Sequence, residues 1–361
     1  MKLPGEAQAS RSFATLLSAA TGIAGLVVLS AISLQSQSTS SRHVTVNPSA
    51  ADYAAGAAAK NVNIHATPSN TPRGRAASGL ELFGSPKIAN SAPDSGGPRF
   101  PADLIFNGGN VVTSMQQVAI YLNPEGKCTI AACWGNPEGF LSDLAKSEFI
   151  HINDQYTGSS ADNRYTVAGT DVIINYKPTH KPLIDAQVRG LVHAVAAALG
   201  TPDGYSNEFH VFLPPGQDEC FTDSFQTCYS PDMPNSFAFC AYHSSATFTD
   251  AVGHVLYSVE PFQDVPGCDV RPGTPNGQLA DSTNNTLSHE LFETITDPDG
   301  TAWWNSDDVG IFGEEIGDEC SFVLFTDSSA FFDPSNVTLN DKRYAIQPEY
   351  DNAQHACTTA P

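Results

Sequence analysis

Apolar and polar positions change rhythm along this 361-residue chain. Beyond about Pro101, short apolar runs alternate with turn residues. Residues 117–122 (Gln-Val-Ala-Ile-Tyr-Leu) and 171–176 (Asp-Val-Ile-Ile-Asn-Tyr) are predicted strands. Pro137 opens a predicted helix to about Phe149, with Phe140, Leu141, Leu144 and Ala145 on one face. A second helix runs over 184–199, with Val188, Leu191, Val192, Val195 and Ala196 at core spacing and Gly200 closing it. Residues 209–213 form a strand stopped by Pro214-Pro215, and 237–243 and 254–259 form two more. A third helix covers about 284–296 and ends at Asp297-Pro298. Short strands are predicted near 322–325 and 343–347. Strands and helices alternate early and strands then run together. This order predicts an α/β domain over 101–361, with a mixed (α+β) sheet and packed helices.

The first hundred residues read differently. Lys2 and Arg11 precede an uncharged apolar run from Phe13 to Leu34, the pattern of an export signal. Residues 1–35 are therefore expected to be a signal peptide, with a retained signal anchor as the second reading. Residues 36–100 are rich in Ser, Ala, Asn, Pro and Gly, and 54–59 is nearly all Ala and Gly. Such a segment buries too little apolar surface to offset its ordering entropy, so it is read as a disordered low-complexity linker.

Cysteines and charge add the compartment. All eight cysteines follow the apolar run: Cys128, Cys133, Cys220, Cys228, Cys240, Cys268, Cys320 and Cys357. No Cys-x-x-Cys spacing occurs, so disulfides in a secreted, extracellular protein are expected rather than a thiolate metal site. A membrane-anchored protein with an extracytoplasmic domain is the alternative. Cys128 with Cys133 would close a tight loop, and Cys320 with Cys357 would tie down the C-terminus. The formal charge is −22, made of +4 over residues 1–100 and −26 over the rest. That acidity repels nucleic acid and anionic lipid, and it tolerates cations. No nucleic-acid partner is expected, and membrane contact only through an uncleaved anchor.

The segment richest in chemistry is Ser288-His289-Glu290-Leu291-Phe292-Glu293. On a helix, His289 and Glu293 at i and i+4 share a face. The pattern parallels the His-Glu-x-x-His helix of zinc proteases, in which the Glu activates water. Here Glu293 takes the place of the second histidine. His289 and Glu293 are thus candidate ligands for a divalent metal, zinc first among them, and Glu290 is the candidate general base. The further ligand is sought in Glu315 and Asp318, three apart, ranked above Asp299. A solvated acidic helix end and loop is the bland alternative. His193, inside an apolar helix, reads as a satisfied core histidine, and His243 as structural beside Cys240. Trp303-Trp304 reads as packing.

Several stretches, taken in order, resemble the phosphate-induced (EXORDIUM-like) protein family and its microbial relatives. They are His210-Val211-Phe212-Leu213-Pro214-Pro215-Gly216, Cys240-Ala241-Tyr242-His243, the His289 helix with Asp297-Pro298, Ala302-Trp303, Glu315-Ile316-Gly317-Asp318 with Cys320, and Cys357. The resemblance implies an extracellular or wall-associated protein and supplies no settled activity. The element order also looks zincin-like, with the His-Glu helix after the last sheet strands. These readings lead to an exported, peptidase-like metal-dependent hydrolase acting on a peptide or cell-wall substrate. The alternative is a non-enzymatic extracellular or wall-associated protein that binds calcium or carbohydrate.

Overall fold

A computed structural model of the chain describes residues 42–69, 71, 73–74, 102–124, 128–176, 181–305, 315–325 and 337–361, with backbone only at 42 and 322–325. The predicted export signal over 1–35 lies outside these residues. The centre of the fold is a mixed eight-stranded sheet. Its strands are β1 (Arg42–Val46), β2 (Lys60–Pro68), β3 (Met115–Leu122), β4 (Tyr165–Val167), β5 (Thr170–Ile174), β6 (Asn207–Phe212), β7 (Phe239–Thr247) and β8 (His254–Glu260). They lie in the order β1-β5-β3-β6-β8-β7-β2, with β4 also pairing with β3. Pairing is parallel from β1 to β8, and β7 is antiparallel to both β8 and β2.

Five helices pack around the sheet or carry candidate site residues: α1 (Ala50–Ala58), α2 (Pro137–Leu144), α3 (Asp185–Leu199), α4 (Gln278–Thr296) and α5 (Asp318–Phe325). Two apolar clusters sandwich the sheet. One joins α3 to Val118, Ile120, Val211 and Tyr242. The other joins α2 and α4 to Ala119, Tyr121, Phe212 and Leu256. Central β6 is buried at every position, as expected for a parallel strand covered on both faces.

The linker reading of 36–100 is corrected for residues 42–68, which form β1, α1 and β2 and supply both outer edges of the sheet. The Ala-Gly composition that suggests disorder is used for close packing. Ser49 and Asp52 form a capping box, with Asp52 N donating to Ser49 Oγ and Ser49 N donating to Asp52 Oδ2. The alanines behind it are strong helix formers. A Cβ on Gly56 would run into the backbone of Gly190, so two glycines let α1 lie directly on α3. In β2, Val62, Ile64 and Ala66 turn to the α3 core while Asn63, His65 and Thr67 alternate to the other face.

Other boundaries shift. Helix α4 begins six residues before the predicted start, and the buried hydroxyls of its first turns are satisfied within it: Ser282 Oγ donates to Gln278 O and Thr283 Oγ1 to Leu279 O. Helix α2 stops at Leu144, and a short 3₁₀ turn, Phe149–Asn153, follows. The strand predicted near 322–325 is helix α5, nucleated where Glu319 N reaches Glu315 O and Cys320 N reaches Gly317 O. All eight cysteines are paired: Cys128–Cys133, Cys220–Cys228, Cys240–Cys268 and Cys320–Cys357. Four disulfides fit an oxidising environment. Among the described residues no helix is long and apolar enough to cross a membrane.

Candidate metal centre

The layer between α4 and the sheet is polar. Leu287, Leu291 and Ile295 anchor α4 in its apolar cluster, which leaves Glu290 and Glu293 facing strands β2 and β7. On the sheet side, His65 of β2 and His243 of β7 are direct cross-strand partners, with ring centroids 5.4 Å apart. The turn entering α5 brings Glu315 and Asp318 to the same place. Three overlapping groups of potential ligand atoms result, each within 4.8 Å of one another: His289, Glu293 and Asp318; His243, Glu290 and Glu293; His65, His243 and Glu315. All five residues predicted from the sequence, His289, Glu290, Glu293, Glu315 and Asp318, therefore sit together. Asp299 does not join them: its carboxylate accepts from Tyr205 Oη and lies 3.3 Å from His254 Nε2.

His289 is the best-defined member. Gln347 Nε2 donates to the Gly317 carbonyl at 2.8 Å, which orients its Oε1 toward His289 Nδ1 at 3.1 Å. Gln347 is itself fixed by its N–H, which donates to Asn285 Oδ1 at 2.6 Å. The His289 proton is thus assigned to Nδ1, leaving the Nε2 lone pair facing inward. That Nε2 lies 2.9 Å from Glu293 Oε1 and 3.7 Å from Asp318 Oδ1, yet makes no hydrogen bond. A lone pair aimed at carboxylate oxygens is repulsive unless a proton or cation stands between them. Both Asp318 oxygens, Glu293 Oε2 and Glu315 Oε1 are also buried without a hydrogen-bond partner. Such orphaned groups are rare in a folded interior and call for an explanation such as an ion.

The electrostatics of the carboxyls and of two of the histidines point the same way; at His65 burial would lower the imidazole, but Glu315 beside it outweighs that and raises it to about 10. Burial pushes the carboxyls of Glu290, Glu293 and Asp318 well above the usual range, and their mutual repulsion adds to it. Burial holds His243 and His289 below the ordinary imidazole range, so both are neutral and able to ligate. Glu315 is the exception: burial would raise it, but His65 and His243 bring it down to about 2. No lysine or arginine among the described residues pairs with these carboxylates; histidines alone do. Asp297 caps α4 nearby, accepting from Thr301 N and Ala302 N, and burial pushes it up to about 8.

Glu290, also a member of one of the three groups, has a hydroxyl partner. Its Oε1 accepts from Thr67 Oγ1 at 2.5 Å, while Oε2 has no partner. Only His65 of the group reaches solvent appreciably, with 17% of its side chain exposed.

Two members fall outside the sequence-based set. His65 belongs to the segment that composition marks as a linker, and His243 reads from sequence as structural beside Cys240. The strict alternation Val62-Asn63-Ile64-His65-Ala66-Thr67 is a strand signal that places His65 on the polar face. His193, by contrast, is satisfied on both nitrogens, by Asp52 and Asp250 at 2.8 Å each. Trp303 packs on Phe106 and Tyr156 and donates its Nε1 proton to Tyr156 O. No family model, curated protein or solved structure matches the chain.

Proposed function

We propose that this chain is an exported, peptidase-like metal-dependent hydrolase with a zincin-like arrangement, related to the phosphate-induced (EXORDIUM-like) proteins. The observation that carries the metal is the bare His289 Nε2, buried against Glu293 Oε1 and Asp318 Oδ1. One nitrogen and two carboxylates suit zinc, and manganese or iron accept the same donors. A divalent cation bound there would supply Lewis-acid polarisation of a scissile carbonyl. The protein's own contribution is positional. Gln347 fixes the His289 tautomer and ring plane. Thr67 holds one Glu290 oxygen and leaves the other to take a proton from an attacking water. His65 marks the solvent side through which substrate would approach.

The near-complete burial of the centre favours a second reading, a structural metal in a non-enzymatic wall or matrix protein. Structural sites are closed, whereas catalytic ones keep a position open. One variant separates the two. Glu290→Gln is expected to keep its metal content and lose hydrolysis of a fluorogenic peptide panel by roughly 100-fold or more. Metal retained with no hydrolysis by the wild type would favour the structural reading. Loss of metal in Glu290→Gln would refute the base assignment.

A further inference from the structure

We infer that the centre is dinuclear: a second divalent cation is held by His65, His243 and Glu315, and Glu293 bridges it to the first. This rests on the metal-dependent reading of the site and extends it. Glu293 presents its two oxygens to two different histidines. Oε1 lies 2.9 Å from His289 Nε2 and Oε2 lies 3.6 Å from His243 Nε2. A carboxylate facing two nitrogen donors on opposite sides is the geometry of a bridging ligand.

The histidines of the second ligand set are positioned by the sheet. His65 and His243 are register partners on adjacent antiparallel strands, so their separation is set by the sheet rather than by a loop. Glu315 Oε2 lies between them, 3.2 Å from His65 Nδ1 and 3.0 Å from His243 Nε2. His65 Nδ1 and Glu315 Oε1 have no hydrogen-bond partner although both atoms are buried. The charge count agrees. Glu293, Glu315 and Asp318 carry more negative charge, once ionised, than one divalent cation neutralises, and Glu290 stands beside them. Two cations balance the four carboxylates. In two-metal sites the ions stand about 3.5–4 Å apart, a spacing a bridging carboxylate spans.

The test is metal stoichiometry on the full oxidised chain loaded with Mn(II), desalted and measured by elemental analysis. Two ions per chain are expected, falling to one in His65→Ala, the most exposed of the ligands. Electron paramagnetic resonance of the wild type should show exchange-coupled manganese, and this readout needs no variant to fold. One ion per chain with an uncoupled spectrum would overturn the second site and leave the single-cation reading intact. No bound ion in folded protein would overturn both.

Discussion

Gly317 is where a single methyl group tests the architecture of the centre. Built on its backbone, a Cβ would lie 2.7 Å from His289 Nδ1, 2.8 Å from Cε1 and 2.9 Å from Cγ. Ordinary contact begins near 3.4 Å, so Gly317→Ala forces ring and turn apart by about 0.7 Å. The shift falls on the Gln347 Nε2 to Gly317 O bond, now 2.8 Å, and stretches it to the edge of hydrogen bonding. Overpacking costs about 1–3 kcal/mol, and leaving a buried amide unpaired costs about 1–3 kcal/mol more. Because the two effects share one displacement, a combined loss of about 2–4 kcal/mol is expected. Metal affinity should fall about 10–100-fold, since the displaced groups orient a ligand.

The assay pairs urea denaturation of chelator-treated protein with a competition titration against a chromophoric chelator. Gly190→Ala is the control. Its Cβ would meet Tyr53 Cα at 2.8 Å, on the α1–α3 side of the sheet. It should lose comparable stability and keep metal affinity. Equal metal affinity in Gly317→Ala and wild type would show that the Gly317 contact does not position His289.

Two further outcomes are expected. Burial beside Asp171 pushes Glu138 up to about 8 from an ordinary 4.5. A carboxyl raised in the folded state stabilises fully below its unfolded value and less as pH rises through the folded one. Glu138→Gln should therefore flatten the decline in stability between pH 4.5 and 8, by about 1–3 kcal/mol after solvent screening, and denaturation at fixed pH steps would show no change if the pairing is unimportant. A fragment beginning at residue 101 lacks β1, α1 and β2, and so the packing of Val44, Tyr53, Val62 and Ile64 on the core. That removes on the order of 5 kcal/mol of burial, and cooperative thermal unfolding of the fragment would contradict the edge-strand role.

Much of the fold was legible because its elements obey simple periodicities. Strands β3, β5, β6 and β8 and helix α3 announce themselves by apolar runs and by Gly200, whose φ of +64° ends α3 in the left-handed conformation. The His289 helix was legible through its i, i+4 pair. Three features hid the rest. Small residues that allow close helix packing look like low complexity, which concealed α1 and, with it, the neighbouring β2. The first turns of α4 carry buried Asp281, Ser282 and Asn284 where an amphipathic pattern predicts solvent. His243 and His65 meet only through strand register, a relation between positions 178 residues apart that no local spacing encodes.

The disulfides have a consequence for the integrity of the polypeptide. All four lie between Cys128 and Cys357, and none reaches the segment that provides both outer strands. That segment is joined to the remainder by one covalent thread, residues 69–102, and otherwise by sheet hydrogen bonds and helix packing. A single peptide-bond break in that thread would give a nicked, two-piece protein that migrates as one species under native conditions. In detergent it would separate without any reductant. Once the pieces part, the smaller one takes His65 and Thr67 with it, so the candidate metal centre is dismantled while every disulfide stays intact.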